Sequence, residues 1–73
     1  MEKILNVGDL VYLKFKYQKI PIEVVVAMKS PHLNTMEYKF RNLDNGEIFH
    51  MMGIFTKTVR MTKAEKFKYS LEQ

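Results

Sequence analysis

The chain has no cysteine and no tryptophan. Without cysteine there can be no disulfide, no zinc–thiolate centre and no thiol nucleophile. A secreted domain of this size usually leans on disulfides. Their lack points to a reducing compartment, and a cytoplasmic protein is expected. Long apolar runs are missing too. The first ten residues, MEKILNVGDL, hold neither a signal-peptide core nor a membrane span.

Catalytic signatures are equally scarce. There is no nucleophile elbow, no glycine loop to cradle phosphate and no HExxH pair. His32 falls in a loop and reads as solvated. His50 shares strand parity with Ile48 and Met52, which suggests a partly buried, hydrogen-bonded structural histidine. Asp9 and Asp44 stand where turns favour aspartate, and Glu47 flanks a hairpin. The expectation is a binding protein with no catalytic residue, no metal, no cofactor and no small-molecule substrate.

What is present is one domain's worth of chain, residues 1–73. Its core must be limited and its stability modest. With 47% hydrophobic and 27% charged residues, the composition is globular and not that of a disordered tail. The net charge of +4 is uneven: residues 1–30 carry +2, residues 31–56 carry −1 and residues 57–73 carry +3. Basic ends suit nucleic acid or an acidic protein surface as partner. They also suit plain solubility.

Alternation with a period of two marks the strands. In LVYLKFKY, residues 10–17, Val11, Leu13, Phe15 and Tyr17 share one face, with Leu10, Tyr12, Lys14 and Lys16 on the other. In IPIEVVVAMK, residues 20–29, the shared face is Ile20, Ile22, Val24, Val26 and Met28. Pro21, with no N–H, belongs near a strand start or an edge. SPHLN is a loop. In TMEYKFR, residues 35–41, Met36, Tyr38 and Phe40 point in. Asn45-Gly46 then signals a hairpin, because both residues tolerate positive φ. EIFHMM returns as the fourth strand, GIFT connects, and KTVRM at 57–61 is the fifth, with Val59 and Met61 in and Arg60 out. The strands thus occupy about 10–61.

The tail, TKAEKFKYSLEQ, changes period. Thr62 and Glu65 have capping-box spacing, and Ala64, Phe67 and Leu71 line one helical face. A helix over about 62–72 is expected, held by Phe67 and Leu71 docking on the sheet, since so short a helix is marginal alone. The predicted core is Val11, Leu13, Phe15, Val24, Val26, Tyr38, Phe40, Ile48, Val59 and Phe67.

Five short strands and one helix suggest a mainly β protein, a small SH3-like, five-stranded, partly open barrel with a C-terminal α-helix. VGDLVYL and YKFRNLDNGEIF resemble the small barrels of the KOW and Tudor type. The resemblance spans most of the chain and implies a scaffold. The tryptophan of a Tudor cage and the long basic glycine-containing loop of KOW modules are missing here.

Two surfaces are candidates. If the first and last strands pair, as in an SH3-like barrel, Lys14 and Lys16 would lie beside Arg60, with Lys63 and Lys66 on the following helix. Such a stripe could track phosphates, and Tyr12 on the same face could stack a base. Lysines on an edge strand also discourage aggregation. Lys39 and Arg41 form a second basic patch, diluted by Glu37. Met51, Met52, Ile54 and Phe55 are the alternative, an adaptable apolar surface for protein contact. The leading expectation is a nucleic-acid-associated binding module of transcription, replication or RNA handling. The other is a protein-interaction module that docks on a larger machine, of the kind found among small phage or mobile-element proteins.

Overall fold

The computed structural model describes residues 4–53 and 56–71. Five strands, β1 Leu10–Phe15, β2 Gln18–Lys29, β3 Met36–Asn42, β4 Ile48–Met52 and β5 Thr58–Arg60, are followed by helix α1 Lys63–Leu71. The strands form one open antiparallel sheet in the order β4-β3-β2-β1-β5. The protein is therefore mainly β with a C-terminal helix. First and last strands are neighbours, with Val11 opposite Arg60 and Leu13 opposite Thr58.

The long strand β2 organises the sheet. Its first half pairs with β1 and its second half with β3. Between Val24 and Val26 the register to β3 slips by one residue. A bulge of this kind bends a strand and resets which side chains face inward. Val24 stays buried opposite Phe40, but beyond the bulge Ala27, opposite Tyr38, takes the inward place. Val26 is only half-buried and Met28 is exposed. Pro21 lies near the start of β2, and its carbonyl accepts from Leu43 N–H just beyond the β2–β3 register that begins at Ile22 opposite Asn42.

The core gathers Leu5, Val11, Leu13, Ile22, Val24, Tyr38 and Phe40, with Ile20, Met36, Phe49 and Met51 packed around it. Tyr38 and Phe40 stack at 5.5 Å and Phe49 meets Phe40 edge-on at 5.6 Å. Leu5 closes one end, and its N–H donates to the buried Tyr38 hydroxyl at 3.2 Å. The segment before β1 is tied down by Gly8, at φ +95°, whose N–H donates to the Val24 carbonyl.

Besides Met28, further inward expectations fail. Ile48 is exposed because Phe49 and Met51 face the core from β4, so the parity of that strand is opposite to the one expected. His50 is exposed for the same reason. Phe15 is half exposed, since β1 runs past the end of the core. Phe67 is 64% exposed and Leu71 is exposed with it, because α1 turns another face to the sheet. Val59 stands opposite Tyr12, half-buried on the other side of the sheet from Val11, so it does not take its expected place in the core; Met61 is buried as expected.

The β3–β4 hairpin closes at Asn45-Gly46, but through a longer loop than a two-residue turn. Asn42 N–H donates to Glu47 O, and Gly46 N–H donates to Asn42 O. Only Gly46 takes positive φ there (77°), while Asn45 instead accepts from Glu47 N–H with its side chain. The capping box is present in both directions: Glu65 N–H donates to Thr62 Oγ1, and Thr62 N–H donates to Glu65 Oε1.

Candidate nucleic-acid interface

The β1–β2 hairpin ends in a turn at Lys16-Tyr17, with Phe15 opposite Gln18. No glycine, asparagine or aspartate is available there. Lys16 adopts φ 54°, the one non-glycine residue with positive φ among the described residues. That left-handed conformation is disfavoured for a residue with a Cβ. The Lys16 ammonium lies 5.7 Å from the Phe15 ring centroid, within cation–π range.

Around this turn the side chains splay into solvent. Tyr17 is fully exposed and Phe15 is 51% exposed. Lys14, Lys16 and Lys19 are all exposed. Lys14 stands directly across from Lys19, a like-charge cross-strand pair that works against the fold. Phe15, Lys16, Tyr17 and Gln18 line a shallow hollow of about 310 Å³. The stretch KFKYQK therefore presents two aromatics and three cations at one projecting tip.

The expected stripe divides. Tyr12 does face the lysine side of β1, but α1 occupies it. Its hydroxyl donates to Glu65, and its ring meets Tyr69 edge-on at 6.4 Å. The Glu65 carboxylate holds the Tyr12 phenol well above its ordinary range, with desolvation adding to the shift. The same bond, with the Thr62 backbone and hydroxyl donors, holds Glu65 below the usual carboxylate value. Tyr12 is thus a clasp for the helix.

Arg60 is exposed, but it stands opposite Val11 and so shares the core-side parity, away from Lys14. It lines a separate hollow of about 280 Å³ with Lys66, Asp9 and the Ile4–Asn6 segment. Lys63 is exposed at the start of the helix. On the second patch Lys39 is exposed, while Arg41 forms an ion pair with Glu23 across the β2–β3 ladder. Of the apolar alternative, Met51 packs against the core and Met52 is half-buried. Ile54 and Phe55 lie outside the described residues.

Strand parity alone assigns Phe15 and Tyr17 to the core and gives Lys19 no part in a site. That parity is kept along β1, but it does not show where the core ends. The only hint is the stretch KYQK itself, whose polar residues interrupt two apolar strands. No helix of the described residues is long and apolar enough to cross a membrane. Those residues also hold no cluster of three potential metal-ligating side chains from His, Cys, Asp and Glu. In comparison with known proteins, the chain matches no family model, no curated protein and no solved structure.

Proposed function

We propose that this protein is a non-enzymatic SH3-like barrel module that binds nucleic acid through the β1–β2 hairpin tip. The barrel reading is supported by the strand order, in which a four-strand meander is flanked by β5 returning beside β1. The binding reading rests on one observation. Three features that work against folding meet within six residues: a strained Lys16, the Lys14–Lys19 pair and the exposed rings of Phe15 and Tyr17. Local rules are broken together mainly where function requires it. Lysines at the tip supply phosphate contacts, and aromatics supply faces for bases. The setting would be transcription, replication or RNA handling, in the cytoplasm.

The test is binding to a labelled oligonucleotide pool over a range of salt. Three phosphate contacts give a slope of about −2 to −3 in log affinity against log salt. Lys14→Glu should sharply weaken binding while leaving the melting temperature equal or higher, because the introduced carboxylate would pair with Lys19 across the hairpin. Arg60→Glu, on the other side of the sheet, should leave binding nearly intact. Equal loss from both substitutions would return the interface to the broader stripe.

A second reading, a protein-docking module, is favoured by the exposed Ala64–Phe67–Leu71 face of α1. Capture of a partner through that face would persist at high salt and after nuclease treatment.

A further inference from the structure

We propose that the tip recognises single-stranded nucleic acid, stacking unpaired bases on Tyr17 and Phe15 without reading their sequence. This rests on the nucleic-acid reading above and narrows it to one class of ligand. The argument begins with what a duplex offers. Its bases are stacked on one another and present only their edges in the grooves. Reading those edges favours arginine, whose guanidinium bonds guanine bidentately, or asparagine and glutamine on adenine. The tip has no arginine. Its cations are Lys14, Lys16 and Lys19, point charges suited to a phosphate backbone of any sequence.

Its other asset is aromatic surface. Tyr17 loses none of its exposure to the fold, and about half of the Phe15 surface is open. A duplex keeps its base faces stacked on one another, whereas unpaired bases stack on open aromatic faces whatever their identity. Lys16 lies between the two rings in sequence, with its ammonium near Phe15. Lys14 and Lys19 share the hairpin face opposite to Phe15 and Gln18, so a strand would wrap the tip, its bases on the rings and its phosphates reaching Lys16 and then the Lys14–Lys19 side. Gln18, in the wall of the same hollow, is the tip's one amide, and its donor and acceptor can serve phosphate or sugar without fixing a base.

The experiment titrates the full chain with a fluorescein-labelled oligothymidine and with a blunt duplex of the same length, at low salt. The single strand is expected to bind about tenfold or more tightly than the duplex. Tyr17→Ala should lower single-strand affinity about five- to hundredfold and leave duplex binding and the melting temperature unchanged. Tyr17 touches nothing in the core, so a folding defect does not cloud the result. Tyr17→Trp adds a direct readout in a chain that has no other tryptophan. Its fluorescence should be quenched by the oligothymidine and not by the duplex. Equal affinity for both forms, or no loss on Tyr17→Ala, would overturn stacking while leaving electrostatic nucleic-acid binding in place. If neither the single strand nor the duplex binds, both readings are overturned.

Discussion

Lys16 carries a positive φ where a tight hairpin would ordinarily place glycine. Left-handed backbone costs a residue with a Cβ about 1–2 kcal/mol, and glycine returns part of that through its looser unfolded state. Lys16→Gly should therefore stabilise the fold by about 0.5–1 kcal/mol, raising the melting temperature by a few degrees. It should at the same time weaken oligonucleotide binding, because the central cation is gone. Thermal melts and titrations on one preparation check both halves; a variant less stable than the parent would mean that the side chain itself holds the turn. Phe40 is the opposite kind of residue. It is fully buried between Tyr38 and Phe49. Phe40→Ala should cost about 3–5 kcal/mol, comparable to the whole stability of a small domain. Loss of a cooperative urea transition is the expected result, and a normal transition would show that the cavity collapses.

At the scale of elements, the sequence announces all five strands and the helix, because alternation and the Thr62–Glu65 box are local signals. It does not announce which faces meet. On β2 the bulge between Val24 and Val26 reverses parity partway along, so Met28 is exposed where an unbroken strand would bury it. On β4 both parities offer large apolar residues, and Phe49 and Met51 take the core in place of Ile48. On α1 the apolar residues spaced for docking are exposed, and the sheet is met by Tyr69 and Glu65 through Tyr12. That clasp is electrostatic and pH-dependent. Glu65 has a lowered value in the fold, so its contribution is present above the ordinary 4.5 and fades as pH falls through the lowered value. Tyr12 has a raised value, so its contribution is present below the ordinary 10.0 and is lost as pH rises through the raised one. Helix content measured by circular dichroism should thus hold between those ordinary values and decline in acid before the sheet melts. Thr62→Ala should lower it at neutral pH as well, at about 1 kcal/mol for the lost cap. Glu65→Gln should remove the acid transition, and its persistence in that variant would assign the change to another carboxylate.

The molecule as a whole places its apolar surface unevenly. A single core holds one side of the sheet, while Ile4, Val7, Phe67 and Leu71 remain in water at the N-terminal segment and along the helix. Hydrophobic stabilisation follows the area removed from water on folding, and exposed side chains contribute little of it. Phe67 and Leu71 differ in this from Val11, Leu13 and Ile22, which are buried. The pair therefore tests how stability is distributed. Phe67→Ser with Leu71→Ser should leave the urea midpoint of the sheet nearly unchanged, since surface substitutions of this kind usually stay within about 0.5 kcal/mol. Oligonucleotide binding should also be unaffected, because neither residue belongs to the hairpin tip. The same double variant should gain solubility, since it removes part of an exposed apolar face. A midpoint lowered by several times that margin would mean that the helix buries those side chains in solution, and the Tyr12 clasp would then be secondary to packing.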